Sequence, residues 1–486
     1  MRISIIGAGF SGCVLATELA RAAPAGVDIQ LVGTPDSYGR GVAYGEARPE
    51  HLLNVRARDL GATADHPGEF ADWLSLTERA RHSFLPRLVY GEYLHSRLQG
   101  AAQVSLAALA RVEQEAIAIQ RDAGAFRIHL ADGADFLSDV VVLTVGALPP
   151  QPLAGVGPRL ALHPSYLGWP WQNGLDGTGA IDNVPPTARV LIIGTGLTMA
   201  DVVTTLHRRG HRGPITALSR HGLLPHAHSE DPIPAVALPP TVLQALNGHD
   251  LRQLVRALRS LSPIVPDWRA LIDALRPYLQ GFWRGLPQPQ RGQFLRHLRA
   301  HWEVLRHRLA PALASEIEEL RVRGRLRVRA GRMLRARRGG DAIEVLIRER
   351  GFAHASSEQF DVLIRATGFD TDLERTSHPL IAQLRDSGML SADPLGLGIN
   401  ASPRFQALDG NGVPVRGLYA LGPLLRAQLW EITAVPELRV AAGVLAKQLL
   451  ASSNVGVRRP ALTGAAVEDG VGVEHVAGRD RVLLRQ

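Results

Sequence analysis

The sequence predicts an α/β fold built from two parallel-sheet domains and a helical insert. The first ten residues after Arg2, "ISIIGAGFSG", indicate a buried strand, a glycine turn and the start of a helix. The segment "RVLIIGTGLTM", which starts at Arg189, repeats this order deep inside the chain. A length of 486 residues suits two or three domains, and 45% apolar residues provide enough material for their cores.

Each glycine turn is followed by the same further elements. In the first block, "EAIAIQRDAGAFRIHLADG" indicates two strands joined by a turn, and the buried strand in "DVVVLTVGALPP" ends at Gly146. The second block has a strand pair around Gly339 and Gly340, then the strand of "FDVLIRATGFD", which ends in a turn at Gly368. A repeat of this size indicates two nucleotide-binding domains rather than a solenoid.

The first glycine loop has the complete GxGxxG pattern. Gly7 permits the tight turn, Gly9 lets the backbone approach a pyrophosphate, and Gly12 lets the helix pack closely on the strand. Ser11 lies in the first turn of the helix, whose free N–H groups and positive dipole end favour phosphate. We therefore predict a Rossmann-like domain that binds FAD permanently at the N-terminus.

The second loop is a variant of the same pattern. Its cofactor-binding candidates are Gly194 and Gly196, with Leu197 and Thr198 opening the helix. The next strand ends at Ser219 and Arg220, where an NAD site would show a carboxylate. A hydroxyl and a guanidinium suit the 2′-phosphate of NADPH. We predict NADPH here, with NADH possible; the alternative for Arg220 is an ordinary surface arginine on a turn.

The first domain lacks the usual acidic residue for the adenosine ribose. The strand "VDIQLVG" ends at Gly33, and Asp36 is the nearest carboxylate. Either Asp36 reaches back to the ribose, or backbone groups and water replace it.

Composition shifts along the chain predict the domain boundaries. Residues 1–150 and 355–450 form a discontinuous FAD domain, and residues 151–240 and 324–354 form the NAD(P)H domain. Residues 241–323 form a helical insert, and residues 451–486 form a C-terminal tail with a short strand at "RVLLR".

The insert contains "RGQFLRHLRAHWEVLRHRLA", which predicts one long helix. Its apolar stripe consists of Phe294, Leu295, Leu298, Trp302, Leu305 and Leu309. The pairs Arg296/His297 and Arg306/His307 are expected on the exposed or cleft-facing side, either solvated or in contact with an anionic substrate.

Charge and cysteine content exclude several function classes. The formal charge is +8, Lys447 is the only lysine, and no basic run with interleaved aromatic residues indicates a nucleic-acid groove. The one cysteine, Cys13, is expected to pack inside a helix; it excludes a disulfide framework and a CxxC redox pair. Neither a signal peptide nor a membrane-spanning run is predicted, so we expect a soluble cytoplasmic protein.

The segment "PHAHSED" offers a possible metal site. Two alternate histidines, His226 and His228, followed by Glu230 and Asp231 have a composition that ligates zinc. We favour the alternative, in which these histidines face the cleft or solvent and no metal is bound.

Longer segments resemble the two-dinucleotide FAD/NAD(P)-binding monooxygenases that include FAD-dependent urate hydroxylase and aspartate N-monooxygenase. The turn Ala366-Thr367-Gly368 is also similar to that of the ornithine and lysine N-hydroxylases. The matching segments are "GRGVAYG", "HLLNVRA", "FLPRLVYGEYL", "GTGLTMAD", "SRHGLLP", "RHLRAHWEVLRHR", "ATGFD" and "GLYALGPLLRAQLWEITAVPELR".

This resemblance implies roles for several residues. Asn54 and Arg87 lie near the flavin, and Leu421 to Pro423 pass it, although Gly422-Pro423 replaces the usual Gly-Asp pair. A helix from about Trp430 aims its N-terminus at the flavin pyrimidine edge, which adds Glu431 and Ile432 to the cofactor-binding candidates. The alternative for each is helix capping or core packing.

The resemblance also implies an activity. NAD(P)H reduces FAD, O₂ is captured as a flavin hydroperoxide, and one oxygen atom passes to a small anionic substrate. We expect urate, giving 5-hydroxyisourate; the alternatives are N-hydroxylation of an amino acid such as aspartate, and a flavin module that passes electrons to a protein partner. The active site is expected where Asn54, the loop of His226 and His228, and the insert meet.

Overall fold

The computed structural model describes residues 1–171 and 179–453, so the predicted strand at "RVLLR" lies outside the described residues. Its strands, in chain order, are β1 (Arg2–Ile6), β2 (Asp28–Val32), β3 (Ala108–Val112), β4 (Ala116–Asp122), β5 (Ala125–Leu130), β6 (Asp135–Ser138), β7 (Val140–Leu143), β8 (Tyr166–Leu167), β9 (Val190–Ile193), β10 (Ile215–Ser219), β11 (Leu326–Gly339), β12 (Ala342–Glu349), β13 (Ser356–Phe360), β14 (Val362–Arg365), β15 (Gln406–Leu408) and β16 (Pro414–Ala420).

The helices frame these strands. They are α1 (Phe10–Ala22), α2 (Gly41–Gly45), α3 (Glu69–Trp73), α4 (Arg87–Val104), α5 (Pro158–Ala161), α6 (Leu197–Arg208), α7 (Pro240–Asn247), α8 (Leu251–Leu261), α9 (Trp268–Gly285), α10 (Gln288–His297), α11 (Arg299–Arg306), α12 (Pro311–Val322), α13 (Pro379–Asp386) and α14 (Val435–Ser453). Within the described ranges, none of them combines the length and the apolar character needed to cross a bilayer.

The first sheet has the order β15-β16-β7-β1-β2-β3. Its strands run parallel except for the edge strand β15. Ile3 and Ile5 of β1 are fully buried, because parallel strands covered by helices lose both faces to the core. Helix α1 packs between this sheet and α14. The predicted strand pair of this block forms a separate three-stranded sheet, β4-β5-β6.

The second sheet has the order β13-β12-β11-β10-β9-β14-β8. Strands β8, β14, β9, β10 and β11 are parallel, and the long strand β11 continues into an antiparallel meander with β12 and β13. The predicted α/β fold with two parallel-sheet domains is therefore confirmed.

Two predicted boundaries are wrong. Strands β13 and β14 were expected in the first domain, which we predicted to resume at residue 355, but they pair within the second sheet. Val362 of β14 is opposite Val190 of β9, and the Asp361 carboxylate binds the Arg189 guanidinium at 2.6 Å. At the other boundary, α12 was expected in the insert. Its Leu313, Ile317 and Leu320 instead pack in the core of the second sheet.

The insert proper consists of α7 to α11 and has its own apolar core. The long helix that we predicted is divided at Leu298, which ends α10 and precedes α11. Five members of the predicted stripe pack against this core, whereas Leu309 is buried in the core of the second sheet. The apolar stripe therefore contributes to two cores, that of the insert and that of the second sheet.

The helix expected from Trp430 is also shorter than predicted. Helix α14 begins at Val435, and a short 3₁₀ turn at Pro423–Leu425 is followed by further turns. Trp430, Glu431 and Ile432 are buried in these turns. The resemblance implies a helix from this point, whereas in this chain Trp430 and Ile432 anchor turns in the core before the helix begins.

Candidate functional site

The first glycine loop requires glycine at two of its three positions. Gly7 has φ +112°, and a Cβ there would lie 2.4 Å from the Thr144 backbone oxygen. A Cβ on Gly12 would lie 1.9 Å from the Gly7 oxygen. At Gly9, by contrast, a Cβ would meet only the Cα of Gly41, at 3.5 Å. The fold itself therefore leaves room for a Cβ at Gly9.

The second loop reproduces this geometry. Gly194 has φ +118°, and a Cβ there would lie 2.1 Å from the Ala366 oxygen, whereas a Cβ on Gly196 would meet nothing within 4 Å. The N–H of Gly194 donates to the Leu218 carbonyl at 2.9 Å, just as that of Gly7 donates to Val32 at 2.8 Å. Met199, in place of the third glycine, is fully buried.

Both helices that follow the loops begin without a side-chain cap from the residues that the structure describes. Gly9 and Gly196 occupy the N-cap positions of α1 and α6, where no side chain caps the helix. Neither helix has an acidic residue in its first turn, which contains Leu197 and Thr198 in α6. Backbone donors without a cap and a positive dipole end make an anion site, so both loops fit the pyrophosphate of a dinucleotide.

The structure brings several predicted residues together at the first loop. A Cβ on Gly422, where φ is +127°, would lie 3.3 Å from Ser11 Oγ in α1. Gly146, with φ +72°, follows β7 and lines a small groove with Leu421. Asp36 lies in an exposed turn after β2. In the second domain Gly368, with φ +80°, occupies the place after β14 that Gly146 has after β7.

Cys13 is buried in α1 beside this loop. Its Sγ lies 3.1 Å from the Ala8 carbonyl and accepts the Gly39 N–H at 3.0 Å. Burial raises the pKa of the thiol to about 12. The thiol is therefore protonated at neutral pH, as its packing position requires.

Ser219 and Arg220 lie at the carboxyl end of β10. The Ser219 hydroxyl is 2.9 Å from Thr195 Oγ1 and accepts the Gly222 N–H at 3.1 Å, so it shapes the turn. Arg220 is exposed, and it makes no ion pair within residues 1–171 and 179–453. Of the two predicted selectors, Arg220 has the free donors.

Arg87 links the two domains. Its Nη1 lies 2.8 Å from Asp201 Oδ2 in α6, and its Nε donates to the Leu52 carbonyl at 3.1 Å. Asp201 is only 4% exposed, and this burial raises the pKa of its carboxyl. The resemblance implies a place near the flavin for Arg87, and its ion pair with Asp201 holds the helix of the second glycine loop.

A buried histidine supports the same contact. His51 Nε2 lies 2.9 Å from Thr205 Oγ1 of α6, and burial lowers the pKa of this imidazole to about 3. A neutral imidazole is compatible with the nearby Arg87. The sequence offered no local signal for this domain contact, because its partners are more than a hundred residues apart.

Three parts of the molecule meet at Asn54, as predicted. His228 Nε2 lies 2.9 Å from the Asn54 carbonyl, and burial lowers the pKa of His228 to about 4. Arg269, from the insert, donates to the carbonyl of Ala227 at 2.9 Å. His226 packs on Trp268 at 5.0 Å between ring centroids. The described part of the chain contains no group of three or more His, Cys, Asp and Glu side chains arranged to hold a metal ion.

A buried cation lies beside this junction. Arg308 is only 3% exposed, pairs with Asp273, and has an Nε with no hydrogen-bond partner within the described residues. Burial is the main cause of the lowered pKa of both His226 and His228; the charge of Arg308 adds to it for both, and that of Arg269 for His226. The junction therefore combines neutral imidazoles with a guanidinium that has a free donor.

Glu431 faces the insert. Trp302 Nε1 donates to its Oε1 at 3.1 Å, and Arg306 Nε donates to its Oε2 at 3.0 Å. Of the two alternatives for Arg306 and His307, an exposed or a cleft-facing side, the exposed one is wrong for Arg306, which is 9% exposed; His307 is half-buried. Arg296 and His297 are exposed as predicted. The Arg306–Glu431 pair joins α11 to the turn that follows Gly422.

A cavity of about 490 Å³ lies between the domains, where the linker after Gly146 passes α2. Val42, Leu148, Tyr166 and Trp169 line it. Trp169 Nε1 donates to Glu46 Oε2 at 2.7 Å, and burial raises the pKa of this carboxyl. Sequence reasoning missed Trp169 and Glu46, because they contact each other only after the linker folds back on α2.

Residues 4–148 match a protein family described as FAD-NAD(P)-binding. This match covers the first glycine loop, Asn54, Arg87 and Gly146. No curated protein sequence matches the chain.

Several solved structures are similar over nearly the whole chain. An ornithine N-hydroxylase from Kutzneria sp. 744, solved with reduced FAD, NADP⁺ and L-ornithine, has 16% identity and a TM-score of 0.61, covering 93% of this chain and 99% of its own. L-lysine 6-monooxygenase from Pseudomonas syringae has 19% identity and a TM-score of 0.61, covering 92% and 98%.

A third structure is a cadaverine monooxygenase from Erwinia amylovora, solved with FAD. It has 13% identity and a TM-score of 0.59, and the match covers 96% of this chain and 99% of its own. At these identities the likeness is one of fold. The chain has the same two-domain α/β fold as these flavoproteins.

Proposed function

We propose that this protein is a FAD- and NADPH-dependent monooxygenase that hydroxylates the amine nitrogen of a small amino acid. The observation that carries the proposal is the pair of equivalent glycine loops. Both have an uncapped helix N-terminus and a position, Gly9 or Gly196, where the fold itself leaves room for a side chain. Two such sites on two sheets fit one resident and one exchanging dinucleotide.

The residues present fit FAD in the first domain. Gly7, Gly9, Ser11 and Gly12 would hold the pyrophosphate, and Gly146 and Gly422 would line the path of the cofactor beyond it. When bound and reduced, FAD supplies the activation of O₂. The chain supplies binding, orientation and exclusion of water, so no side-chain nucleophile is required.

The junction around Asn54 supports an amino acid as the class of substrate. Arg308 places a buried guanidinium, which pairs with Asp273, beside the junction, and its positive charge suits an anionic substrate. His226 and His228 are held neutral, so they can accept or donate hydrogen bonds without adding charge. Ornithine, lysine and cadaverine appear in the names of the similar structures, which favours N-hydroxylation over our expectation of urate. Among amino acids, we propose aspartate.

We expect L-aspartate to accelerate NADPH oxidation and to yield a hydroxylamine in proportion to the NADPH consumed. The carboxylates would be recognised by guanidinium donors, whereas cadaverine, which has no carboxylate, is expected to be a poor substrate. The measurement is a parallel assay of NADPH absorbance and hydroxylamine product for aspartate, ornithine, lysine, cadaverine and urate.

Two results would contradict this assignment differently. If urate is oxygenated and none of the amino acids reacts, the protein is a monooxygenase as proposed, but the proposed substrate is wrong. A flavin that is reduced by NADPH but never yields an oxygenated product, while it reduces an added electron acceptor, would favour an electron-transfer module.

Coenzyme choice is expected to depend on Arg220. Removal of a charge-assisted contact to the 2′-phosphate costs on the order of 1.5–3 kcal/mol. Arg220→Ala should therefore raise the KM for NADPH by about tenfold to about a hundredfold and leave that for NADH almost unchanged. Steady-state kinetics with both coenzymes measure the difference.

Arg212→Ala is the matched control, because Arg212 follows α6 in the same domain and lies outside the turn after β10. It should change neither constant. A wild-type preference for NADH, or an equal loss for both coenzymes in Arg220→Ala, would remove Arg220 as the selector.

A further inference from the structure

Arg220 belongs to a cluster of arginine and histidine side chains at the carboxyl end of β10. His221 follows it, and Arg350 Nη1 lies 2.7 Å from His221 Nδ1. His301 of the insert packs against His221, with 5.6 Å between the ring centroids. Burial, then Arg350, His301 and Arg220, and last Arg332 lower the pKa of His221, so Arg332 lies near this imidazole. We call these five residues, together with Arg348, the β10-end cluster.

The cluster has no negative partner within the described residues. Arg220, Arg332, Arg348 and Arg350 are all exposed and take part in no ion pair there. Two carboxylates of this sheet, those of Glu349 and Glu358, are held by Arg329. The positive charge is therefore uncompensated in this part of the protein.

The register of the strands makes the arrangement unfavourable by itself. Arg332 of β11 stands directly opposite Arg348 of β12, so their side chains project from the same face. Like charges placed directly opposite each other destabilise a sheet. A bound anion would relieve this repulsion. If the face only contacted solvent, the opposed arginines would lower stability without any compensating interaction.

All of the groups in the cluster can donate hydrogen bonds. Burial, with the surrounding guanidinium groups, lowers the pKa of His221, so its imidazole is neutral at pH 7. Because Arg350 donates to Nδ1, the proton of His221 resides on Nε2, which is therefore a donor. Guanidinium groups and an Nε2–H without any acceptor suit a phosphate dianion.

The position of the cluster relates it to the second glycine loop. Thr195, between Gly194 and Gly196, contacts Ser219 at 2.9 Å, and β11 pairs with β10 as far as Ser219 and Ala330. The carboxyl end of the strand after the glycine loop is where the adenosine ribose of a dinucleotide lies.

We propose that Arg332 and Arg350 act with Arg220 as one binding site for the 2′-phosphate of the coenzyme, and that His301 brings the insert into the wall of this site. The inference rests on the proposed coenzyme role of the second domain. It adds that selectivity is shared by the turn, two strands and the insert.

The test measures binding without turnover. Calorimetry on the FAD-loaded protein gives the Kd for adenosine 2′,5′-bisphosphate and for adenosine 5′-monophosphate. Arg332→Gln and Arg350→Gln should each weaken the bisphosphate by roughly three- to fivefold, since exposed charge contacts contribute little individually, and the double variant by roughly tenfold. Monophosphate binding should stay unchanged. Arg335→Gln, an exposed arginine further along β11, is the control and should change neither Kd.

The outcomes separate this inference from the proposed function. If both single variants and the double variant bind the bisphosphate like wild type while Arg220→Ala weakens it, the site is Arg220 alone and the inference is wrong. If the variants weaken both probes equally, they act on folding or on general charge, which also overturns it. If wild type binds neither probe, the coenzyme role of the second domain fails, and the inference fails with it.

Discussion

Gly9→Val is expected to yield a folded protein that has lost most of its FAD. The backbone at Gly9 has φ −72°, which any residue can adopt, and a Cβ there makes only an ordinary contact with Gly41. A valine side chain would nevertheless keep a pyrophosphate away from the N-terminus of α1. The purified variant should be nearly colourless, with a Tm within about 4 °C of the flavin-free wild type.

Two variants make this result specific. Gly12→Ala places a Cβ 1.9 Å from the Gly7 oxygen, so it should lose FAD because the loop itself is destabilised, with a clearly lower Tm. Gly100→Ala, in α4 with nothing within 4 Å, should retain FAD and gain about 0.5–1 kcal/mol of stability. A yellow Gly9→Val protein with stoichiometric FAD would show that the flavin binds elsewhere.

Arg87→Met should destabilise the protein by about 3–5 kcal/mol, because it leaves the Asp201 carboxylate buried without its partner. Denaturant unfolding monitored by far-ultraviolet circular dichroism measures the change. The loss should shrink on acidification. Burial raises the pKa of Asp201 in the folded state above its unfolded value. When the pH falls through this raised pKa, the carboxyl becomes neutral, and the cost of leaving its charge buried without Arg87 disappears.

Arg21→Met is the comparison variant, because the Arg21–Asp65 pair at 3.3 Å is largely exposed. It should cost at most about 1 kcal/mol. The double variant Arg87→Met/Asp201→Asn removes the buried charge and should recover much of the loss. An Arg87→Met protein as stable as wild type at neutral pH would show that this pair does not hold the domains together.

Elements whose signal is local were predictable from the sequence. The glycine spacing at Gly7, Gly9 and Gly12 is a steric requirement within a few residues, and the structure shows the contacts that impose it. The buried strands β1 and β9 follow from short apolar runs, and the repeat of turn and strand indicated two parallel sheets. The meeting of Asn54 with the loop of His228 and the insert also agrees with the expectation, which came from the resemblance.

Contacts between distant segments were decided only by the tertiary structure. Strand β14 follows the hairpin in sequence, but Val362 pairs with β9 of the second sheet, and no local pattern distinguishes one parallel neighbour from another. Arg87, Glu431 and Arg306 have the residue types of a ligand site, and only the tertiary structure shows that their ion pairs join the domains and the insert. Whether an arginine meets a carboxylate, or has no ion pair among the described residues, as for Arg220, depends on the packing of segments that are far apart in the chain.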